Sequence, residues 1–181
     1  MIFTEDWYPE ADRAVLKKVA QQCQSDWGSI LECGSWEGQS AIVIESVFGK
    51  QRPLIVVDPW DENHDQGANR AFANFIENTK TLNIAICRQT WKEFFTLYKD
   101  PISFIHIDAI HEYEEVKGNI LAALPLMQTG GVMCGHDYAH GGFPGVKQAV
   151  DEIFGDSVQS EANLWWHLVP YYLNAPNPAS S

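Results

Sequence analysis

The sequence has few basic side chains. Its 181 residues include 12 Lys and Arg against 24 Asp and Glu, so the formal net charge is −12. Proteins that bind nucleic acid or anionic membranes need clustered basic side chains to replace the counterions. We therefore expect neither nucleic acid nor a membrane surface among the main partners. Small molecules, sugars and peptides are left as candidate partners.

Cysteines and long apolar runs are also scarce. The four cysteines lie far apart, which predicts reduced thiols in a cytoplasmic protein rather than disulfides or a zinc site. No apolar stretch approaches the length of a membrane span, and the N-terminal residues lack the apolar core of a secretory leader. With no internal repeat and no linker, the length predicts one domain over 1–181. We divide it into an N-terminal helical segment (1–27), a core (28–173) and a frayed tail (174–181).

Short apolar runs alternate with longer amphipathic segments along most of the chain. This alternation is typical of an α/β fold in which helices cover both faces of a parallel sheet. The expected sheet has seven strands and is mostly parallel, with an antiparallel last strand. The predicted strands are 29–34, 53–58, 83–87, 102–108, 132–137, 157–161 and 164–171, and the predicted helices are 7–24, 37–48, 69–79, 91–98, 111–127 and 144–154.

The first predicted strand ends in a turn that contains glycine. Its sequence, Glu32-Cys-Gly34-Ser35-Trp-Glu-Gly38-Gln-Ser40, lets the backbone turn sharply and approach a ligand closely. The dinucleotide-binding pattern G-x-G-x-x-G is missing, and so is the lysine of a phosphate loop. These absences disfavour a nicotinamide enzyme. The spacing resembles the first motif of class I methyltransferases that use S-adenosylmethionine, with an ordinary strand-to-helix turn as the alternative.

The next two strand ends also carry polar side chains. Asp58 follows an apolar strand and is placed to accept hydrogen bonds from the ribose hydroxyls of a nucleoside, with a helix cap or a solvated acid as the alternative. Trp60 is interpreted as a ring that stacks on a base or covers the loop. Gln89 and Thr90 are placed to meet an adenine edge, although Thr90 is equally suited to cap the following helix.

A more specific similarity runs through the fourth and fifth strand ends. The segments that carry it are Ile105-His-Ile-Asp-Ala-Ile-His-Glu-Tyr-Glu, Leu124-Pro-Leu, Gly130-Gly-Val, Gly135-His-Asp-Tyr and Phe143-Pro-Gly-Val. Over about residues 29–155 the chain resembles methyltransferase family 24. That family is related to metal-dependent sugar O-methyltransferases of macrolide pathways and to cephalosporin-hydroxylase-like proteins. The resemblance implies a Rossmann-like class I methyltransferase sandwich. It also implies S-adenosylmethionine as the cofactor, bound by Glu32, Gly34, Ser35, Gly38, Ser40, Asp58, Trp60, Gln89, Thr90 and Asp108.

Two acids end strands that we expect to be adjacent in the sheet. Asp108 and Asp137 would repel each other unless a cation lies between them, and oxygen ligands beside an imidazole suit Mg²⁺ or Mn²⁺. We therefore predict a divalent-metal site at Asp108, His136 and Asp137, with helix capping or cofactor contact as the alternative for the two acids. The resemblance makes His111 the candidate general base, acting with Asp108, because the pKa range of histidine suits proton removal. A backbone contact at a helix start is the alternative for His111.

The sequence departs from the family pattern directly after Asp108. The family has Gly-Asp where this chain has Ala109-Ile110, so an acid that would support a metal or cap a helix is missing. We expect metal-assisted O-methylation of a hydroxyl on a sugar or another small molecule. The alternatives are a metal-dependent hydroxylase-like enzyme and a non-catalytic, nucleoside-binding member of the same fold. The acceptor and the formation of a homo-oligomer stay open.

Overall fold

The computed structural model describes residues 1–63 and 65–171. Helices and strands alternate along this part of the chain, as the apolar pattern predicts. Two single 3₁₀ turns, Leu124–Leu126 and Gly155–Ser157, follow the fifth and sixth helices. The elements in order are α1 (Glu10–Ala20), β1 (Ser29–Cys33), α2 (Gln39–Phe48), β2 (Leu54–Val57), α3 (Ala68–Thr79), β3 (Ile84–Cys87), α4 (Trp91–Leu97), β4 (Ile102–Ile107), α5 (Tyr113–Ala123), β5 (Met127–Gly135), α6 (Pro144–Phe154), β6 (Gln159–Glu161) and β7 (Leu164–Leu168).

The strands form one seven-stranded sheet in the order β3-β2-β1-β4-β5-β7-β6. Neighbours among β1 to β5 are parallel, and β7 is antiparallel to both β5 and β6. The predicted fold class is therefore confirmed, including the antiparallel last strand. The strand order reverses between β1 and β4, and ligands of open α/β sheets bind beyond the carboxyl ends of the strands at such a point.

Two apolar cores fix this sheet edge, one on each face. The first packs α1, α2 and α3 on the sheet, around side chains such as Leu16, Ile44 and Phe75. The second packs α4, α5 and α6 on the other face, around side chains such as Ile120 and Val150. Fully burying one such side chain contributes about 1.5–3 kcal/mol. The polar strand ends are thus held in place by apolar packing behind them.

The N-terminal helix is shorter than predicted. It begins at Glu10, because Pro9 takes the N-cap position in an extended conformation, and it ends at Ala20. Tyr8, just before the helix, is buried at 3% exposure and belongs to the first core. The N-terminal segment therefore packs directly on the sheet.

The predicted boundary between α5 and β5 is wrong. The helix ends at Ala123 because Pro125 lacks the N–H group that would continue it, and a 3₁₀ turn follows. β5 already begins at Met127, so Gly130 lies inside the strand rather than between the predicted helix 111–127 and the predicted strand 132–137. Gly130 has φ +74°, and the pairing of β5 with β4 shifts register nearby. A glycine inside a strand commonly marks such an irregularity.

The chain ends and the cysteines add three observations. β7 ends at Leu168, earlier than the predicted 171. The predicted frayed tail over 174–181 lies outside the described residues, as do 172 and 173. All four cysteines are free thiols, and no helix among the described residues is long and apolar enough to cross a membrane.

Candidate active site

The ends of β1 and β4 meet at the point where the strand order reverses. Gly34 follows β1 with φ +83°, and a Cβ built on it would lie 2.1 Å from the carbonyl oxygen of Asp108. The backbone N–H of Asp108 donates to the carbonyl of Cys33 at 2.8 Å. Only glycine allows this approach, because any side chain would strike backbone. Gly34 therefore acts through the placement of Asp108, in addition to its predicted place in the cofactor loop.

Asp108, His111 and Asp137 form a compact titratable cluster. Nε2 of His111 lies 2.9 Å from Oδ2 of Asp137 and 3.4 Å from Oδ1 of Asp108. One ligand atom from each of the three residues lies within 4.8 Å of the other two, so this group could hold a metal ion. The structure thus brings together both predicted acids and the predicted base.

Local backbone geometry places these three side chains close together. Asp108 follows β4, and His111 lies in the short loop before α5. Asp137 follows β5 and has φ +60°, which is unusual for a residue with a side chain. Such strain is often found at functional sites. Gly145, in the first turn of α6, packs on this loop: its Cβ would lie 2.9 Å from the carbonyl oxygen of His111.

The two acids of the cluster favour the protonated form of His111 in this arrangement. Burial alone would lower the pKa of His111, but the hydrogen bonds and charges of Asp108 and Asp137 outweigh it and raise the pKa to about 10. Burial would raise the pKa of Asp137, but the two histidines hold it well below its usual range. A ring whose pKa is raised in this way holds its proton more tightly in the metal-free cluster, and the role of His111 as general base stays a prediction.

His136, the predicted third metal ligand, lies behind this cluster. Its Nδ1 atom is 3.5 Å from Oδ2 of Asp137 and 3.9 Å from Oδ2 of Asp108. Its Nε2 atom is 3.0 Å from Oδ2 of Asp12. Burial lowers the pKa of His136, but the three carboxylates raise it to about 9. The candidate metal-binding group among the described residues therefore contains His111 instead of His136, whose nearest nitrogen lies farther from both acids.

Aromatic rings cover the outer side of the cluster. The ring of Phe143 stacks on His111, with centroids 4.2 Å apart, and His140 stacks on Phe143 at 4.8 Å. Phe143 is 37% exposed. Its ring therefore holds the His111 imidazole while part of its surface faces solvent beside the acids.

Asp58 has a different contact from the predicted one. Its Oδ2 atom accepts hydrogen bonds from the backbone N–H groups of Ser35 and Trp36 at 2.9 and 3.1 Å. Its Oδ1 atom accepts from the N–H of Trp60 at 2.8 Å. Burial raises the pKa of Asp58, while these three N–H groups oppose the shift. A carboxylate offers about four acceptor positions, so little of Asp58 is left for a ribose.

The structure corrects the roles predicted for Trp60 and Thr90. Trp60 is 2% exposed, packs on Phe72 and Phe75, and donates from Nε1 to the carbonyl of Trp36, so its ring cannot stack on a base here. Thr90 caps α4 in a capping box: its hydroxyl accepts from the N–H of Glu93 and donates to the Glu93 carboxylate. Trp60 covers the loop and Thr90 caps the helix. These are the alternatives that the sequence left open for the two residues.

A polar cavity of about 590 Å³ lies at the ends of β2 and β3. Gln89 lines it, and its side-chain amide makes no hydrogen bond to the described residues. Arg88 also lines it, with its guanidinium 4.3 Å from the centroid of the Phe72 ring. Of the residues predicted to meet an adenine edge, Gln89 is the one whose side chain is free to do so.

The remaining residues predicted to bind the cofactor differ in how well a ligand can reach them. Glu32 is fully buried, and its Oε1 atom lies 3.3 Å from Nδ1 of His106, so it cannot reach a ligand in this arrangement. The hydroxyl of Ser35 is buried at the end of β1 and has no hydrogen-bond partner among the described residues. Gly38 is the N-cap of α2 with φ +90°, and Ser40 is buried in the first turn of α2. Ser35 therefore offers an unused polar group in this loop.

A model of a known protein family matches residues 31–138. The family is methyltransferase family 24, and its description is a methyltransferase domain. The match spans more than half of the chain. The chain belongs to methyltransferase family 24. By family and fold it is a class I methyltransferase.

Solved structures share this fold at low sequence identity. The O-methyltransferase NovP is 15% identical with a TM-score of 0.71, and the match covers 89% of this chain and 80% of NovP. CalS11, a TDP-rhamnose 3′-O-methyltransferase of calicheamicin biosynthesis, is 12% identical with a TM-score of 0.66, covering 89% and 81%. The O-methyltransferase TomG of tomaymycin synthesis in Streptomyces achromogenes, solved with S-adenosylmethionine, is 14% identical with a TM-score of 0.64, covering 87% and 80%. No curated protein sequence matches the chain.

Asp12 and Phe143 contribute to the site although the sequence patterns do not predict them. Asp12 and Phe143 lie outside the segment that matches methyltransferase family 24. Asp12 sits on a helix whose apolar stripe gives no reason to bury an acid, and only the fold brings it to His136. Phe143 offered a weak signal, since it directly precedes the proline that starts α6. The family pattern therefore predicts the acids and not the side chains that hold the two histidines.

Proposed function

We propose that this methyltransferase transfers the methyl group of S-adenosylmethionine to a hydroxyl oxygen of a small molecule, with a divalent cation at the Asp108–His111–Asp137 cluster. The observation that carries the proposal is that this cluster and the polar cavity share one edge of the sheet. Both lie beyond the carboxyl ends of the parallel strands, where ligands of such sheets bind. The family supports methyl transfer, and NovP, CalS11 and TomG are described as O-methyltransferases.

The polar cavity fits a nucleoside cofactor. Its volume of about 590 Å³ falls in the range of small-molecule pockets. Gln89 offers an amide donor and acceptor, and the buried Ser35 hydroxyl offers a further unused group at the neighbouring strand end. Bound S-adenosylmethionine would supply the electrophilic methyl group. The acids Glu62 and Glu93 also line the cavity, so the net charge there suits a cationic sulfonium compound.

The donor set of the cluster fits a divalent cation. Asp108 and Asp137 supply carboxylate oxygens, and His111 and His136 each point one ring nitrogen towards them. Mixed oxygen and imidazole ligands suit Mn²⁺ better than Mg²⁺. Such a cation would supply positive charge to an acceptor oxygen and to the two carboxylates.

The side chains around the cluster would orient the acceptor and hold its proton. The negative charges of Asp108 and Asp137 favour the form of His111 that holds its own proton. His111 can accept a proton from the acceptor hydroxyl only when other positive charge balances those acids. The partly exposed ring of Phe143 offers an apolar surface next to His111, on which a sugar or another ring can pack. We infer that the acceptor is a hydroxyl of a sugar or of another small molecule. The absence of a nucleic-acid or membrane partner stays a prediction. The cytoplasmic location and a homo-oligomer also stay predictions.

Calorimetric titration with S-adenosylmethionine tests the proposal, in metal-free protein and in protein with Mn²⁺ or Mg²⁺. We expect the wild type to bind the cofactor with and without metal, and to bind Mn²⁺ at a separate site. We expect the Gln89→Ala variant to bind the cofactor more weakly. Glu77→Gln is the matched control, because Glu77 is exposed on α3 and pairs only with Lys80 among the described residues. Absence of cofactor binding with and without metal would overturn the proposal, whereas cofactor binding without any metal site would leave a metal-independent methyltransferase.

The pair of histidines supports a second candidate, a metal-dependent hydroxylase-like enzyme. Two imidazoles with a carboxylate are the ligand set of many Fe²⁺ oxygenases, and His111 and His136 both face Asp108 and Asp137. Such an enzyme needs Fe²⁺, dioxygen and a reductant. Turnover that depends on Fe²⁺ and oxygen but not on S-adenosylmethionine would favour this candidate over methyl transfer.

A further inference from the structure

The N-terminal segment places a buried carboxylate against the back of the candidate metal site. Asp12, on α1, is 1% exposed. Its Oδ2 atom lies 3.0 Å from Nε2 of His136 and also accepts a hydrogen bond from the side-chain amide of Asn163 at 3.2 Å. Its Oδ1 atom accepts from the backbone N–H of Asn163 at 3.2 Å. None of the metal-binding patterns in the sequence includes this acid.

These contacts determine which nitrogen of His136 faces the cluster. Because Asp12 accepts two hydrogen bonds from Asn163, it acts as an acceptor, and Nε2 of His136 must donate to it. Nδ1 is then the nitrogen that faces Asp137 and Asp108, at 3.5 and 3.9 Å. A histidine that ligates a metal through one nitrogen usually donates its other N–H to a carboxylate or carbonyl in this manner.

Tyr8 fixes the plane of the same ring. Its aromatic ring stacks on His136, with centroids 4.4 Å apart and an interplanar angle of 26°. Its hydroxyl is 3.0 Å from Nε2 of His106, and His106 in turn faces Glu32 on the neighbouring strand. Tyr8 is thus anchored to the sheet through its hydroxyl while its ring covers His136. The imidazole is held at its edge by Asp12 and on its face by Tyr8.

We propose that Asp12 is a positioning residue of the metal site: it holds His136 with Nδ1 directed at Asp108 and Asp137, so that the imidazole is presented as a ligand for Mn²⁺. The proposal rests on the divalent cation proposed above. It makes the N-terminal segment, which in sequence is only one short helix, a part of the site. It also accounts for a buried acid on α1 that the apolar packing of this helix does not need.

Binding of Mn²⁺ alone to the full chain, measured by calorimetry, tests the proposal. Asp12→Leu keeps the approximate size but removes the acceptor, and we expect the affinity for Mn²⁺ to fall by about 10–100-fold. Asp12→Asn keeps one acceptor oxygen, so we expect a smaller loss and thus partial rescue. Thr4→Val is the control, because it removes a hydrogen bond between the N-terminal segment and Glu37 without touching His136. We expect its Mn²⁺ affinity to stay within about threefold of the wild type. Wild-type affinity in folded Asp12→Leu, or an equal loss in Thr4→Val, would overturn the proposal.

Nitrogen NMR of the His136 ring in metal-free protein separates this proposal from the one on function. We expect a proton on Nε2 that exchanges slowly in the wild type and faster in Asp12→Asn, which stays informative if Asp12→Leu does not fold. If the wild type binds no Mn²⁺ but shows this protected proton, the proposed metal site is wrong. The hydrogen bond by which Asp12 orients His136 is then still supported. A wild-type Nε2 that carries no proton, or one that exchanges as fast as an exposed histidine, overturns the role of Asp12 whatever the metal result.

Discussion

Replacing Gly34 by alanine should disturb the active site through the backbone. The new Cβ would lie 2.1 Å from the carbonyl oxygen and 2.5 Å from the carbonyl carbon of Asp108, and 2.6 Å from Cα of Ala109. Cβ atoms are essentially never found closer than 3.0 Å to another heavy atom, so the end of β4 must move away by about 1 Å. All three contacts are with backbone atoms, which cannot rotate out of the way as a side chain can.

The expected cost has two parts. A residue with a side chain at φ +83° loses about 1–2 kcal/mol, and a collision in a packed region adds about 1–3 kcal/mol. For a chain of this length, each kcal/mol lowers Tm by about 2–4 °C, so we expect a fall of about 5–15 °C. Because Asp108 moves with its carbonyl, a displacement of about 1 Å should also cost about 100-fold in methyl transfer or in Mn²⁺ affinity.

Gly67→Ala is the matched control for this experiment. Gly67 has a similar φ of +91°, but its Cβ would meet only the flexible end of Arg70, at 3.3 Å. It therefore carries the conformational cost without the backbone collision, and we expect a modest fall in Tm with Mn²⁺ affinity nearly unchanged. Thermal melts and Mn²⁺ titrations of both variants provide the comparison. If Gly34→Ala keeps wild-type Mn²⁺ affinity, or if both variants lose it equally, the coupling between Gly34 and Asp108 is refuted.

Three other side chains give further tests. The pKa of His111 is raised from 6.5 to about 10, so its stabilising charge is fully present below about pH 6.5 and lost as the pH rises towards 10. The Tm of the metal-free protein should fall over that range, and should fall less in His111→Gln; an equal fall in both would contradict the charge assignment. Thr90→Ala should cost about 1 kcal/mol, because it removes the capping box of α4, while affinity for S-adenosylmethionine stays within twofold; a large loss of affinity would restore Thr90 to the cofactor site. Asp137→Asn should weaken Mn²⁺ binding by tenfold or more without changing cofactor affinity; unchanged Mn²⁺ binding would exclude Asp137 as a ligand.

Most of the sheet could be predicted because the buried strands are apolar throughout. β2 and β4 are continuous apolar or buried runs, and such runs leave little alternative to a strand covered on both faces. The pattern was ambiguous around Gly130 and Gly131, where the same two glycines can end a helix or distort a strand. Pro125 ends α5 early, and β5 begins at Met127 because this residue pairs with Ile102 of β4. Local signals predict that a boundary exists, but the pairing partner determines where it falls.

The acids of the site were predictable and the roles of the histidines were not. Asp108 and Asp137 directly follow adjacent strands, so the topology alone brings them together. Side chains alternate along a strand, and Val132 and Cys134 of β5 lie in the first core. His136 continues that series and projects towards α1, where Asp12 meets it. The alternation was readable from sequence, but the buried acid on α1 was visible only in the fold.

The site derives its charge balance from histidines, and this has a functional consequence. Among the described residues, the ion pairs of Asp108 and Asp137 are all with His111 or His136. An arginine in the same place would keep its charge at every pH and would exclude a metal ion. An imidazolium can instead lose its proton or leave the carboxylates, so a divalent cation can replace it without leaving a fixed positive charge behind. The scarcity of basic residues thus extends to the cluster itself, and it leaves the two aspartates available to an exchangeable cation.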